Sequence, residues 1–173
     1  MTLSYYPEFL TATILNWQHL FTNDRFKQIV TDSLQNLSQE KKCKVFAFVI
    51  MPNHIHMMWK IEDDFQRKEV QGSLLRYTEH QFKKHLQSNE PLLLQKYYVN
   101  DADRSYQFWE REPMVKECRK DKFFMQKINY IHNNPCQSKW KLASLPEDYY
   151  WSSAAFYESG SRDFPWLSHY LER

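Results

Sequence analysis

The sequence predicts an α+β fold in which an antiparallel sheet carries helices packed on one face. The 173 residues are the usual size of one domain. Segments with strand and helix periodicity follow one another as strand, helix, strand, strand, helix, strand, helix. This order is typical of a sheet and helices in separate layers. We therefore expect residues 1–173 to form a single domain, with 136–173 as a C-terminal extension that wraps around it.

The first strand and the first helix are predicted from residue type and spacing. Residues 9–14 are rich in β-branched and aromatic side chains, which favours a strand. Asn23 or Asp24 can cap a helix that runs to about Ser38, because the apolar residues after them recur at helical spacing.

The next two strands are expected to form an antiparallel hairpin. Residues 45–50 are an unbroken apolar run, which predicts a central strand buried on both faces. Residues 51–53 break the run as a turn would, and the connection is too short for a parallel crossover. Residues 54–61 then alternate. One face carries Ile55, Met57, Trp59 and Ile61, and the other carries His54, His56, Met58 and Lys60.

The remaining elements are less regular. Residues 66–87 have helical periodicity, and residues 97–99 and 106–109 are predicted as short strands. Asp121 can cap a third helix through Ile131, which Pro135 ends.

Composition excludes several classes of protein. The net charge of +2 does not by itself indicate a nucleic-acid partner. The three cysteines form no Cys-x-x-Cys pair, which argues against a zinc ribbon and a disulfide framework. The sequence shows neither a secretory leader nor a long apolar run, so we predict a cytoplasmic, nucleoid-associated protein without a membrane segment.

His54 and His56 are the first chemical signal. Residues two apart on a strand point the same way, so both imidazoles lie on one face and can share a metal ion. Imidazole suits manganese, zinc, cobalt and nickel, whereas magnesium usually takes oxygen ligands. A His-x-His pair also arises by chance, so a structural role stays open.

Tyr130 and Asn134 are the second signal. A helix places residues four apart on one face, where Lys127 also lies. A tyrosine can attack a phosphodiester and form a covalent intermediate, and the Asn134 oxygen can serve as a third, neutral ligand. The chain has 11 tyrosines, and position alone does not select this one.

Four segments resemble motifs of one transposase family. Residues 49–58 contain Met-Pro-Asn-His-Ile-His, and residues 130–135 read Tyr-Ile-His-Asn-Asn-Pro. Residues 108–112 contain a Trp, and residues 148–153 end in Trp-Ser-Ser. In this order they resemble the HUH-type single-tyrosine transposases similar to insertion sequence 200, and among these the REP-associated tyrosine transposases.

The resemblance implies a ferredoxin-like α+β fold, the HUH endonuclease fold, whose central strand carries both histidines. It implies Tyr130 as the nucleophile and His54, His56 and Asn134 as ligands of a divalent metal ion, Mg²⁺ or Mn²⁺. It also implies cleavage of single-stranded DNA to a 5′-phosphotyrosine and a free 3′-OH. The expected DNA is a hairpin formed by extragenic palindromes, and the expected protein is a monomer or a homodimer.

A basic stretch before Tyr130 is the candidate DNA-binding surface. Cations that follow a backbone and rings that stack on bases are what a single strand requires. The candidates are Trp109, Arg111, Lys116, Arg119, Lys120, Lys122 and Lys127. The alternative is that nearby acidic residues neutralise the stretch into an ordinary solvated surface.

Two other functions stay open at this point. One is a domesticated protein that binds DNA hairpins without catalysis. The other is an unrelated metallohydrolase built on His-x-His in a large barrel, although the chain is short for a fold that typically needs about 250 residues.

Overall fold

Four antiparallel strands form one sheet in the computed structural model, which describes residues 5–173. In chain order they are β1 (Glu8–Thr13), β2 (Cys43–Met51), β3 (His54–Ile61) and β4 (Met114–Glu117). Across the sheet the order is β2-β3-β1-β4, and each neighbouring pair is antiparallel. The predicted α+β class is therefore confirmed. The barrel alternative is excluded, because that fold has eight parallel strands.

The described residues also form five α-helices. They are α1 (Asp24–Gln39), α2 (Arg67–Asn89), α3 (Pro91–Leu94), α4 (Asp121–Asn133) and α5 (Ala154–Ser159). None of them is both long and apolar enough to cross a membrane.

Only one of the two predicted helix caps is observed. The side-chain oxygen of Asn23 caps α1 by accepting from the backbone N–H of Arg25 at 2.9 Å. At α4 the cap position belongs to Lys120, which makes no side-chain capping bond, and Asp121 is the first helical residue. The Asp121 carboxylate still stabilises the helix, because it lies at the positive end of the helix dipole.

The alternation of β3 decides which side chains face each layer. Ile55, Met57 and Trp59 lie in the core beneath α1 and α2. On the opposite face the ring of His56 stacks on Phe9, with 5.3 Å between centroids. The predicted division of this strand is thus confirmed.

Helices cover both faces of the sheet, so the prediction that they pack on one face is wrong for α4. Helices α1 and α2 pack against the face that carries Phe48. Phe124 and Ile128 of α4 pack against the face that carries Phe46. The physical reason is that β2 is apolar on both sides, and such a strand requires a layer on each.

Strand β2 is an edge strand, not the central strand that its apolar sequence predicts. The C-terminal segment 136–173 runs along its free edge. The Trp151 carbonyl accepts from the Ile50 N–H at 2.9 Å, and the Ser153 N–H donates to the Phe48 carbonyl at 3.0 Å. The Ser153 hydroxyl accepts from the Phe48 N–H at 3.0 Å. These bonds occupy backbone groups that an open edge leaves unpaired.

The single-domain assignment of residues 1–173 stays a prediction, and residues 1–4 lie outside the described residues. The C-terminal segment 136–173 contributes side chains to the hydrophobic core. Trp151, Phe164 and Trp166 pack in the same cluster as α1 and α2.

The fourth strand of the sheet, β4, is not one of the strands that the sequence predicts. Neither residues 97–99 nor residues 106–109 form a strand, and they make only isolated bridges, Tyr98 to Tyr106 and Trp109 to Ile14. Their aromatic side chains reflect core packing: Tyr97 and Phe108 stack with 4.6 Å between ring centroids. Strand β4 was missed because its four residues alternate only between half-buried and exposed positions.

The hydrogen bond between the Ser153 hydroxyl and the Phe48 backbone gives a prediction about stability. Ser153→Ala removes the buried acceptor of the Phe48 N–H, and we expect the free energy of unfolding to fall by about 1–3 kcal/mol in urea denaturation. Ser159→Ala is the matched control, because the exposed Ser159 hydroxyl donates only to the Ala155 carbonyl. Its effect should stay within about 0.5 kcal/mol. Equal effects of the two substitutions would contradict the assigned role of Ser153.

Candidate active site

His54 and His56 stand on the inner strand β3, on the face covered by α4. Their ring centroids are 4.6 Å apart. The two residues are only 7% and 6% exposed. Thr13 and Thr11 of β1 pair with them in register. The strand spacing therefore places both imidazoles side by side in a sheltered position, as predicted.

Hydrogen bonds occupy one nitrogen of each imidazole. Nδ1 of His54 lies 2.7 Å from Oδ1 of Asn53, whose Nδ2 donates to the Trp17 carbonyl at 3.4 Å. Because the Asn53 amide nitrogen faces a carbonyl, its oxygen faces the ring, and Nδ1 carries the proton. Nδ1 of His56 lies 2.7 Å from the Thr11 hydroxyl. Within residues 5–173 no hydrogen bond engages either Nε2, so these nitrogens are left for a ligand.

Both imidazoles are neutral at pH 7. Burial lowers the pKa of His54 to about 4, and the charge of Lys139 acts in the same direction. Burial lowers the pKa of His56 to about 3, with further contributions from His54 and Lys127. The neutral ring is the form that coordinates metals, so ligand binding requires no deprotonation here.

Tyr130 brings a phenol to the same cleft from α4. Its ring centroid lies 5.2 Å from that of His56, and the residue is 40% exposed. The ammonium of Lys127, three residues earlier on the helix, is 5.4 Å from the Tyr130 ring centroid. The phenol is thus open to a substrate and flanked by a positive charge.

His132 ties α4 to the sheet and the C-terminal segment. Its Nε2 lies 2.8 Å from the Ser153 hydroxyl, in a buried position. Burial lowers the pKa of His132 to about 4, so this ring is also neutral at pH 7. With the apolar contacts of Phe124 and Ile128, this bond sets the rotation of the helix, and Tyr130 and Asn134 lie on its cleft side.

Asn134 follows the last residue of α4 and is 2% exposed. Its side-chain oxygen is buried without a hydrogen-bond partner. Leaving a buried acceptor unpaired costs about 1–3 kcal/mol, and such atoms are rare in folded proteins. An unpaired oxygen beside two free imidazole nitrogens is the property expected of a cation ligand.

The two histidines, Tyr130 and Asn134 line a cleft of about 220 Å³. Within residues 5–173 no three His, Cys, Asp or Glu side chains are grouped to hold a metal ion. The Asn134 amide oxygen, which lines the same cleft, could supply a third protein ligand to a cation held by the two histidines.

A family model for IS200-like transposases matches residues 11–134, more than half of the chain. The chain belongs to the IS200-like transposase family. The matched region includes both histidines and Tyr130, and it ends at Asn134.

One solved structure supports the fold of this transposase. A REP-associated tyrosine transposase bound to a REP hairpin superposes with a TM-score of 0.64 at 18% identity, over 95% of this chain and 84% of that chain. This likeness confirms the ferredoxin-like fold. A Deinococcus radiodurans protein described as a candidate transposase gives a TM-score of 0.49 at 16% identity, over 77% and 94% of the two chains. A comparison with curated proteins finds no match.

The predicted base-stacking role of Trp109 is wrong. Trp109 is 4% exposed and packs in the core with Phe21 and Phe82, away from the cleft of the transposase. Its indole N–H donates to the Thr78 hydroxyl at 3.0 Å. A ring that is packed on both sides is not available to a base.

The basic residues of the predicted DNA-binding surface divide into three groups. Lys127 lies at the cleft, and Lys116 pairs with Phe9 in register, so Lys116 points to the same face. Arg119 forms an ion pair with Glu117, one of the acidic residues expected to neutralise the stretch. Arg111 forms an ion pair with Asp101, which lies outside that stretch. Lys120 and Lys122 are exposed at the start of α4. DNA binding by these six residues stays a prediction.

Six cleft residues were not among the predicted site residues. Thr11 and Thr13 could have been found, because they alternate with the buried Leu10, Ala12 and Ile14 on a predicted strand. The other four lie outside periodic segments and gave no signal: Trp17, Gln137, Lys139 and Trp140.

The placement of Trp109 gives a second prediction. Trp109→Ala should lower the free energy of unfolding by about 3–5 kcal/mol, because it opens a cavity in the core. Arg111→Ala, two residues away and exposed, should change it by less than about 0.5 kcal/mol. Urea denaturation measures both. A stable Trp109→Ala protein that has lost only DNA affinity would restore the original interpretation.

Proposed function

We propose that this transposase cleaves and rejoins single-stranded DNA through a covalent bond to Tyr130, in a reaction that depends on a divalent cation. The observation that carries the proposal is the meeting of an open phenol, two neutral imidazoles and an unpaired amide oxygen in one cleft. Phosphoryl transfer depends mostly on positioning and on stabilising charge, and this arrangement offers both.

In the proposed step the phenolic oxygen of Tyr130 attacks the phosphorus of a DNA phosphodiester. A bond forms between that oxygen and phosphorus, and the bond to the 3′ oxygen breaks. The phenol loses its proton, and the 3′ oxygen leaves as a hydroxyl after gaining one. The products are a 5′-phosphotyrosine and a free 3′-OH. Because one phosphodiester replaces another, a 3′-OH can reverse the step and rejoin strands.

His54, His56 and Asn134 are the residues that would hold the divalent cation, Mg²⁺ or Mn²⁺. All three are neutral, so a bound cation would keep its full charge and polarise the phosphate as a Lewis acid. The imidazole nitrogens favour Mn²⁺ over Mg²⁺ on ligand preference. The Thr11 and Asn53 bonds hold the two rings in place, and burial keeps them unprotonated.

Lys127 and the DNA hairpin complete the proposal. The ammonium of Lys127 lies beside the Tyr130 ring, where it can donate charge-assisted hydrogen bonds to phosphate oxygens.

The structurally similar REP-associated transposase is bound to a REP hairpin. As part of the proposal, we infer that this chain also acts on a DNA hairpin and belongs to that branch.

A denaturing gel tests the covalent step. The protein is incubated with a pool of single-stranded DNA hairpins, with Mn²⁺, Mg²⁺ or chelator, and DNA attached to protein is detected. We expect a metal-dependent adduct that Tyr130→Phe abolishes while DNA binding persists. Tyr150→Phe, at another exposed tyrosine, should leave the adduct intact. Hairpin binding without an adduct under any metal would instead favour the domesticated DNA-binding protein.

Asn134 allows a test of the cation site that is independent of catalysis. Asn134→Leu removes an unpaired buried oxygen, so the metal-free protein should be as stable as the wild type or more stable. The wild type should gain about 2.7 kcal/mol when Mn²⁺ is present at 100 times its Kd, and the variant should lose that gain. Asn133→Ala, at the exposed neighbouring asparagine, should keep it. Equal Mn²⁺ stabilisation in all three proteins would remove Asn134 from the site.

A further inference from the structure

Trp17 is an exposed aromatic side chain at the wall of the catalytic cleft. Of the six tryptophans in the sequence, all within the described residues, it alone is exposed, at 61%. It lines the same cleft as His54 and Tyr130. A large indole left in water beside a reactive site requires an explanation, because burying such a ring is strongly favourable.

The backbone that presents Trp17 is strained. Asn16 and Trp17 have φ values of 53° and 56°, in the left-handed region that non-glycine residues rarely adopt. Strain of this kind persists where surrounding contacts enforce it, and it concentrates at ligand-binding sites. Here the Asn16 N–H donates to a Glu110 carboxylate oxygen at 2.9 Å, and the Trp17 N–H donates to the Ile14 carbonyl at 2.9 Å.

A third contact connects this turn to the histidines. The Asn53 amide donates to the Trp17 carbonyl and accepts from His54, as described above. The backbone of Trp17 is therefore connected to the His54 imidazole through the side chain of Asn53.

Other residues of the cleft supply a second ring and a cation. The Trp140 ring centroid lies 5.7 Å from that of His54. The ammonium of Lys139 lies 5.1 Å from the Trp140 ring centroid. Aromatic faces combined with cations are the features that bind single-stranded nucleic acid, through base stacking and phosphate contacts. A paired base is already stacked on both sides, so the ligand that fits is an unpaired base.

We infer that Trp17 is the stacking platform for an unpaired nucleobase of the strand whose phosphate enters the cleft, with Trp140 and Lys139 contacting the same strand. The inference rests on the proposed function, because it identifies the part of the DNA that must be single-stranded at the site.

Binding of two matched oligonucleotides tests the inference. One is a short fluorescein-labelled oligothymidylate, and the other is an abasic strand of the same length, each measured by fluorescence anisotropy at fixed salt. Trp17→Ala should weaken oligothymidylate binding about tenfold, within the range for loss of one stacked base, and leave the abasic affinity unchanged. Trp17→Phe should recover most of the loss, because it keeps an aromatic face. Tyr98→Ala, at an exposed ring outside the cleft, should match the wild type.

The outcomes separate this inference from the proposed function. If the wild type forms the Tyr130 adduct but Trp17→Ala binds both strands as the wild type does, the inference alone is overturned. Equal losses on both strands overturn it too, since Trp17 would then act on the backbone or the fold. If the wild type neither binds either strand nor forms an adduct, the proposed function fails along with it.

Discussion

The pairing of β3 with a strand on each side is the constraint on which the site depends. A slip of one residue in this register would turn His54 and His56 into the core and Ile55 into the cleft. Neighbours on both sides prevent the slip: β1 pairs with β3 along six residues, and β2 pairs with it along nearly its whole length. The apolar side chains of β3 are therefore as necessary to the chemistry as the histidines, because they decide which way the imidazoles point.

Helix α4 completes the site by packing on a face that the sheet would otherwise expose. Its apolar side buries β2, and its other side presents Tyr130 and Asn134 to the cleft. The same burial has an electrostatic result, since it lowers the pKa of both histidines and keeps them neutral. Packing and chemistry are thus coupled: loosening α4 would admit water, raise both pKa values and displace the phenol together.

Sequence reasoning succeeded where periodicity is strong and failed where position depends on distant contacts. The alternation of residues 54–61 gave the histidine face, and helical spacing brought Tyr130 and Asn134 to one cleft. Strand β4 was not predicted because its four residues are too few, and too mixed in burial, to show a clear hydrophobic alternation. The prediction for Trp109 was wrong because the sequence of a basic segment does not show whether an aromatic side chain within it faces solvent or the core. Trp17 was missed because an exposed ring on a strained turn has no sequence signature.

The pairing of residues 151–153 with the free edge of β2 has a consequence for aggregation. The segment that pairs with this edge lies about a hundred residues further along the chain. It is held by backbone hydrogen bonds, by the side chain of Ser153 and by the core packing of Trp151. Removal of this segment would leave an apolar strand with open hydrogen-bonding groups. Such an edge is a template for pairing with other chains. Residues 151–153 therefore cover an edge that is otherwise open to pairing with other chains, and during synthesis that edge stays open until these residues have been made.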